Sequence, residues 1–291
     1  VKYIISEQGI SATTLARKYN VGLAGSDYQV VLQDPEVEGV IIATKHDLHA
    51  SILLHALQYP KHLFVEKPLC IFPQELEALQ NAWHNSPVLS LQIGFNRRFA
   101  PLAIQMKALL GTAPMQVTTT MNAGHLPADF WLHHREKGGG RIVGEACHHI
   151  DFVAYLTGSK ACAVCMNGFG PHPSAITDNA TILIQYENGS TGVINYFSNG
   201  NITYQKERVE VYSEGRTLIL DDFKKLRGYG FNKFSSKWMW QDKGHTNQFK
   251  AFMETVKKGD HTNGSFDQMI NTTKVGFAAL ESLQKGTWIL I

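Results

Sequence analysis

The sequence predicts an α/β chain in two parts: a domain built on a parallel sheet, followed by an α+β domain built on a mostly antiparallel, open sheet. In the first third of the chain, short apolar strands alternate with helical patterns, which is the rhythm of a parallel sheet. After Asn96 this rhythm breaks, and turn pairs such as Asn188-Gly189 and Glu214-Gly215 separate successive strands. A chain of 291 residues with 44% hydrophobic content can bury two cores. We therefore expect domains at residues 1–95 and 96–291.

The elements of the first domain follow from their apolar spacing. Strands are predicted where short apolar runs occur, and helices where apolar residues recur every three or four positions. Ser11 lies where a hydroxyl group can cap the first helix. The predicted strands are Val1–Ser6, Gly39–Thr44, His62–Glu66 and Leu89–Gly94, and the predicted helices are Ser11–Tyr19, His49–Gln58 and Pro73–Asn85.

The second domain is predicted to place helices on one face of its sheet. A glycine run leads into a helix that continues through Leu156, and Gly158 ends it as a C-terminal glycine does. A Gly- and Lys-rich stretch around Trp238 is predicted to be a long loop. The other predicted helices are Pro101–Leu110, His245–Lys257 and Ser265–Gln284, and the predicted strands are Met115–Asn122, Ala161–Met166, Ala175–Glu187, Thr191–Ser198, Arg208–Ser213 and Thr217–Leu220.

The tripeptide Glu66-Lys67-Pro68 closes the apolar run His62–Val65 and carries the clearest functional signal. In an open α/β sheet, ligands bind beyond the carboxyl ends of the strands. A lysine at such an end can be desolvated, which lowers its pKa and allows it to exchange a proton near neutral pH. The alternative is an ordinary solvated lysine, which is the commoner case at strand ends.

A second signal lies downstream, where Gly138-Gly139-Gly140 runs into the helix that contains His148 and Asp151. Together with Lys67, these residues resemble the Gfo/Idh/MocA family of NAD(P)-dependent sugar and cyclitol oxidoreductases. Val37–Thr44 resembles the family's strand and turn along the cofactor, and Gly94–Phe99 with Pro101 resembles its crossover into the second domain. Two further features, the pair Arg97-Arg98 and the motif Gly-Glu-x-Cys-His at residues 144–148, resemble oxidoreductase modules that are fused behind an alcohol-dehydrogenase-like domain.

The resemblance implies a Rossmann-like first domain, NAD or NADP as cofactor, a cis Lys67-Pro68 bond and assembly into a homo-oligomer through the second-domain sheet. It implies three groups of site residues. The catalytic residues are Lys67, His148 and Glu145, the cofactor-binding residues are Ser6, Thr44, His46, His49, Glu66 and Lys67, and the substrate-binding residues are Asn96, Arg97, Arg98 and Trp131. Trp131 has an alternative interpretation as ordinary core or interface packing.

Two departures from the family pattern stand out. The family usually carries an aspartate one helical turn before the catalytic histidine, where this chain has Gly144 followed by Glu145. Glu145 and His148 share a helix face, so Glu145 replaces the aspartate, supports the histidine indirectly, or is simply a polar residue at the helix start. These three interpretations remain open.

The second departure is at the amino terminus. Val1–Ser6 resembles the family's second strand, and no G-x-G-x-x-G turn occurs in the chain. That turn normally lets the pyrophosphate approach a helix amino terminus. The chain is therefore a piece of a longer protein, begins after a missing segment, or has lost cofactor binding; we favour a truncated or excised module. Ser6 stands where relatives place the ribose-binding acidic residue, so the choice between NAD and NADP stays open.

Composition excludes several classes of function. A net charge of +2 without a run of basic residues argues against a nucleic-acid partner, and no apolar stretch is long enough to span a bilayer. Four scattered cysteines indicate reduced thiols and a cytoplasmic protein. Cys162 and Cys165 should face opposite sides of a strand, and neighbouring histidines such as His133-His134 point about 100° apart, so no metal site is expected.

The expected activity is transfer of a hydride between the nicotinamide cofactor and a hydroxyl carbon of a sugar, cyclitol or nucleotide sugar. Lys67 and His148 are the candidates to receive and relay the hydroxyl proton. Two alternatives stay open: a non-catalytic sugar-binding or scaffold module of the same fold, and an NAD-dependent glycosidase that acts through transient oxidation.

Overall fold

A computed structural model describes residues 1–260 and 266–291 and confirms the parallel sheet expected in the first part of the chain. All strand pairs here are parallel. Strand β1 (Tyr3–Ile5) pairs with β2 (Leu23–Gly25), while β3 (Gly39–Ile42), β4 (His62–Val65) and β5 (Ser90–Ile93) form a three-stranded sheet. Strand β4 is buried along its whole length, which explains its continuous apolar run.

Four helices connect and cover these strands: α1 (Ile10–Tyr19), α2 (Gln29–Gln33), α3 (His46–Ala56) and α4 (Pro73–Trp83). The buried faces of α2, α3 and α4 pack with β3, β4 and β5 in one apolar cluster that includes Leu53 and Leu63. This cluster fixes the carboxyl ends of β3 and β4, where the predicted site residues lie.

The predicted cap of helix α1 is wrong. Ser11 lies inside the helix and is exposed, whereas Oγ of Ser6 accepts a hydrogen bond from the backbone N–H of Ala12 (3.1 Å). The chain turns at Gly9, which has a positive φ of 71°. Ser6 therefore reaches the first turn of the helix from the end of β1.

The second part of the chain forms a nine-stranded sheet, as expected mostly antiparallel. In the order β13-β12-β11-β10-β6-β9-β8-β7-β14, every neighbouring pair is antiparallel except β6 with β9. The strands are β6 (Gln116–Asn122), β7 (Ala161–Gly168), β8 (Ala180–Tyr186), β9 (Thr191–Phe197), β10 (Glu207–Ser213), β11 (Arg216–Asp221), β12 (Lys225–Tyr229), β13 (Ser236–Trp238) and β14 (Ile289–Leu290). The stretch around Trp238 therefore contains strand pairing and is not one long loop.

Helices α5 (Pro101–Leu110), α6 (Cys147–Thr157), α7 (His245–Lys258) and α8 (Phe266–Lys285) complete the chain. The start predicted for the last helix, Ser265, lies outside the described residues. Residues of α5, α6 and α8 join the inward-facing side chains of the sheet in a second apolar cluster. The sheet thus has one face covered by helices and one open face, as predicted.

The prediction that Cys162 and Cys165 face opposite sides assumed a regular strand. Strand β7 has a bulge at Cys162, because Ala161 pairs with Tyr186 while Ala163 pairs with the next partner residue, Gln185. The extra residue interrupts the regular alternation of side chains between them, and both cysteines are half-buried. Within residues 1–260 and 266–291, no group of His, Cys, Asp and Glu side chains is arranged to hold a metal ion. In the same ranges, no helix combines the length and the apolar character that a bilayer crossing needs.

Candidate active site

Lys67 lies two residues beyond the end of β4, and its bond to Pro68 is cis, as predicted. The backbone N–H of Glu66 continues the sheet by donating to the carbonyl of Ile42 (2.8 Å). The ammonium group of Lys67 then reaches the second part of the chain, where Nζ donates to the carbonyl oxygen of Gly144 (2.9 Å). The half-buried lysine is therefore tied to the segment that leads to His148, unlike a solvated lysine at a strand end.

Glu66 lies half-buried beside Lys67. A Cβ atom on Gly94 would come within 2.7 Å of its Oε2, so the glycine makes room for this carboxyl group. Burial raises the pKa of Glu66, and the Lys67 charge opposes that rise. Gly94, which begins the predicted crossover, thus leaves the space that the Glu66 carboxyl group occupies.

The two histidines of helix α3 face inward, so the expected direct contacts with a cofactor need correction. His49 has no exposed surface; Nδ1 lies 2.7 Å from the carbonyl oxygen of Pro68, and Nε2 lies 3.1 Å from that of Thr44. It supports both turns from behind and cannot touch a bound cofactor. Thr44 itself is exposed at the end of β3 and remains available for that contact.

His46 connects the two parts of the chain. Its Nδ1 lies 2.9 Å from the carbonyl oxygen of Gly138, and its ring meets the ring of Trp131 edge-on, with 4.8 Å between centroids. Burial lowers the pKa of His46 to about 4, so the ring is neutral at pH 7. Trp131 is half-buried by this contact and by Phe130, while part of its surface stays free. Its role in substrate binding stays a prediction.

The segment that precedes His148 is a π-helical turn, Ile142–Ala146, a local irregularity that is frequent at functional sites. In this turn Gly144 has little room for a side chain. A Cβ atom there would lie 2.9 Å from Cδ1 of Leu132, 3.0 Å from the oxygen of Gly138 and 3.1 Å from Cε1 of His46. The aspartate that the family resemblance leads us to expect would collide with these groups.

Glu145 is held by two side chains. Nε of Arg141 donates to Oε2 at 2.7 Å, and the hydroxyl group of Tyr196 donates to the same oxygen. Burial raises the pKa of Glu145, but Tyr196 and Arg141 outweigh burial and keep it below its usual value. The carboxyl group is thus ionised at neutral pH, and the interpretation as a plain polar residue at the helix start does not fit.

His148 follows on the first turn of α6, with its ring edge-on to Phe95. Burial, together with the charges of Arg97 and Lys67, keeps the pKa of His148 well below its usual value. Its Nδ1 is buried and accepts or donates no hydrogen bond within the described part of the chain. A neutral imidazole placed in this way is able to accept a proton.

Arg97 and Arg98 form ion pairs within the protein, which sequence reasoning missed. Nε and Nη2 of Arg97 donate to the two oxygens of Glu207 at 2.7 and 3.0 Å, and Nζ of Lys243 donates to Glu207 at 2.6 Å. Arg98 binds both oxygens of Asp151, one of them through Nε at 3.0 Å. The expected direct contact of Arg97 with substrate is therefore corrected, since its side chain is 8% exposed and already paired.

Asn96 is also buried, at 2% exposure, and its amide donates to the carbonyl oxygen of Lys243 (2.7 Å). This bond links the start of the second part of the chain to the segment before α7. Asn96 is therefore a connecting residue, and direct contact with substrate is not available to it in this arrangement.

A nicotinamide cofactor fits the residues at the carboxyl ends of β3 and β4 better than it fits the segment after β1. Thr44 is exposed beyond the end of β3, and Lys67, beyond the end of β4, is held by its bond to the oxygen of Gly144. At the end of β1, the Ser6 hydroxyl already accepts the bond from Ala12, and no G-x-G-x-x-G turn is present in the sequence. The 291 residues thus contain candidates for the nicotinamide side of a cofactor site, and their sequence contains no G-x-G-x-x-G turn for a pyrophosphate.

Comparison with known proteins shows the family to which the chain belongs. Residues 1–95 match the GFO_IDH_MocA model, described as an oxidoreductase family with an NAD-binding Rossmann fold, and residues 110–219 match the GFO/IDH/MocA C-terminal domain. The chain is 28% identical to the uncharacterized oxidoreductase YrbE of Bacillus subtilis, over 98% of this chain and 87% of that protein. It is 24% identical to myo-inositol 2-dehydrogenase of Thermotoga maritima, over 93% of this chain and 85% of that protein.

Solved structures share the fold. A levoglucosan dehydrogenase in complex with NADH and levoglucosan superposes with a TM-score of 0.83 at 21% identity, covering all of this chain and 90% of that one. An oxidoreductase domain protein from Kribbella flavida gives a TM-score of 0.85 at 20% identity with the same coverage.

Proposed function

The chain belongs to the Gfo/Idh/MocA family of NAD-dependent oxidoreductases, and on this premise we propose that it transfers a hydride between NAD or NADP and a hydroxyl carbon of a sugar, cyclitol or nucleotide sugar. The observation that carries the proposal is the bond from Lys67 Nζ to the oxygen of Gly144, because it joins the strand-end lysine to the turn that leads to His148. The myo-inositol and levoglucosan dehydrogenases among the relatives support a polyol substrate.

The proposed roles follow from charge. A bound nicotinamide cofactor would supply the hydride acceptor, and Thr44 and Lys67 are the residues that would hold its nicotinamide side. As the hydride leaves, the hydroxyl proton must also leave, and the imidazole of His148, whose buried Nδ1 has no hydrogen-bond partner within the described part of the chain, is the candidate to accept it. The ammonium group of Lys67 then stabilises the negative charge that develops on the substrate oxygen. His49 keeps Lys67 and Thr44 in register by its contacts with the carbonyls of Pro68 and Thr44.

Reduction of NAD⁺ or NADP⁺ by a panel of cyclitols, pyranoses, anhydro sugars and nucleotide sugars tests the proposal. We expect reduced cofactor to accumulate with at least one of these alcohols. Cleavage of a glycoside without net formation of reduced cofactor would instead support the glycosidase, and sugar binding without either reaction would support the scaffold.

We expect the 291-residue chain to bind NAD(H) and NADP(H) weakly or not at all, because the charged pyrophosphate lacks its usual glycine turn and helix amino terminus. Calorimetric titration of this chain beside a form extended upstream of Val1 measures the difference. Micromolar binding by the 291-residue form would show that another element supplies the cradle. No binding by either form would favour the scaffold.

We also propose that the protein is cytoplasmic and that an upstream fused domain is a further partner. We propose in addition that two copies associate through the open face of the nine-stranded sheet. Two features of the open face support pairing: Thr181, Asn195 and Thr120 form a hydrogen-bonded row across three strands, and the neighbouring row contains Leu183, which is 39% exposed. A face with ordered polar groups around apolar ones is suited to a second protein surface.

A further inference from the structure

Glu145 has one occupied and one unoccupied carboxylate oxygen. Both protein donors, Arg141 Nε and the Tyr196 hydroxyl, bind Oε2. Oε1 accepts no hydrogen bond from residues 1–260 or 266–291, and the side chain is 30% exposed. An ionised carboxylate accepts up to about four hydrogen bonds, so Oε1 is free to bind a donor that is not part of the chain.

The two donors are themselves fixed. Nη1 of Arg141 donates to the carbonyl oxygen of Gly124 (2.7 Å), and the guanidinium group lies over the ring of Tyr196 at 5.3 Å. Arg141 is 2% exposed and Tyr196 is fully buried. A third charge, Asp178, lies 3.7 Å from Nη1 of Arg141. The orientation of Glu145 is therefore set by the buried side chains of Arg141, which precedes the π-helical turn, and of Tyr196 on strand β9.

We propose that Tyr196 and Arg141 are positioning residues that hold Oε2 of Glu145 and leave Oε1 to accept a hydrogen bond from a substrate hydroxyl group. This inference rests on the proposed function. A carboxylate on residue 144 would require Leu132, Gly138 and His46 to move, because they lie within about 3 Å of the position that its Cβ atom would take. The neighbouring residue supplies the carboxylate instead.

The arrangement makes a demand on the substrate. Because its pKa is held below the usual value, the Glu145 carboxylate is a weaker base than an ordinary glutamate, and we assign the proton of the reacting hydroxyl to His148. Oε1 instead selects a second hydroxyl group, one that donates a hydrogen bond and keeps its proton. The substrate is then an alcohol with at least two hydroxyl groups, and simple monoalcohols lack the second contact.

Several titratable groups bear on the titration of Glu145. Arg141, just before its turn, and Lys67, on another element, carry charge, and Tyr196 on strand β9 donates a hydrogen bond. The rings of His46 and His149 also feel its charge. Among these groups, Tyr196 contributes a neutral hydroxyl, so its removal changes hydrogen bonding without changing net charge.

The test uses Tyr196→Phe, which keeps the ring and removes one oxygen, with Tyr186→Phe as the matched control. Tyr186 lies on the neighbouring strand β8, and its buried hydroxyl group has no hydrogen-bond partner among the described side chains. The protonation midpoint of Glu145 is followed in the cofactor-free protein by ¹³C NMR of labelled glutamate carboxyls, assigned with Glu145→Gln. We expect an upward shift of the midpoint in Tyr196→Phe and no shift in Tyr186→Phe.

Kinetics supply the second readout. Tyr196→Phe should raise KM for a polyol about tenfold with a smaller change in kcat, since a poorly held carboxylate binds the substrate hydroxyl less well. An unchanged Glu145 midpoint in a folded Tyr196→Phe variant would overturn the inference, as would an unchanged KM. If wild-type protein oxidises no alcohol, the proposed function fails, and the NMR titration still decides whether Tyr196 holds Glu145.

Discussion

Replacing Lys67 or His148 with alanine is expected to lower kcat by about a hundredfold or more, the size of effect typical of general acid–base groups. Each substitution removes a group that acts on the substrate oxygen, while the fold and the affinity for cofactor should change little. The measurement is steady-state turnover at saturating cofactor, with thermal melting to confirm the fold. Because burial and the nearby Arg97 and Lys67 charges keep the pKa of His148 low, wild-type activity should persist below pH 6.5, the usual pKa of histidine.

Lys250→Ala and His134→Ala are suitable controls, since both residues are exposed and take no part in the site. They should retain wild-type kcat. Wild-type turnover in both Lys67→Ala and His148→Ala would show that the catalytic groups lie elsewhere. Glu145→Gln is a companion variant: a loss as large as that of His148→Ala would mean that Glu145 acts on the reacting atoms.

Replacing Glu207 with glutamine is expected to lower the free energy of unfolding by about 3–5 kcal/mol, the usual cost of leaving a buried charge without its partner. Glu207 is 1% exposed and accepts bonds from Arg97 and Lys243. Burial favours its protonation, but Arg97, His149 and Lys243 outweigh burial and hold the pKa of Glu207 far below its usual value. Denaturant unfolding of wild type and Glu207→Gln measures the difference.

Glu210→Gln provides the matched comparison, because Glu210 pairs with the half-exposed Arg208 at 2.6 Å. A change of at most about 1 kcal/mol is expected there. Equal small losses in both variants would contradict the structural role that we assign to the Arg97–Glu207 pair. An Arg97→Met variant with wild-type stability and a raised KM would return Arg97 to substrate binding.

The sequence predicted those features that depend on local spacing. The parallel strands, the helix that Gly158 ends and the lysine at the end of β4 all follow from neighbouring residues, and the structure confirms them. The cis Lys67-Pro68 bond followed from the family resemblance. These local features identified Lys67 and His148 as candidates. The fold brings their segments together through the bond from Lys67 Nζ to the oxygen of Gly144.

Features that depend on distant contacts were not predictable. The partner of Arg97 is 110 residues away, and the tyrosine that holds Glu145 is 51 residues away. From the sequence alone, Arg97 and Arg98 were predicted to bind substrate. The structure shows that Glu207 and Asp151 are their partners. Likewise, an imidazole on helix α3 made His49 a candidate for cofactor binding. Its ring nitrogens instead lie near the carbonyl oxygens of Pro68 and Thr44, which are contacts that the sequence does not reveal.

Transfer of deuterium tests the central claim most directly. A cyclitol or sugar that carries deuterium on its carbinol carbons is incubated with the protein and saturating NAD⁺ or NADP⁺, using the extended form if the 291-residue chain does not bind cofactor. We predict that deuterium appears on the nicotinamide ring of the reduced cofactor in amounts equal to the ketone formed, and that His148→Ala slows this transfer. Cofactor bound at saturation with no label transferred from any polyol would contradict the assignment as a dehydrogenase.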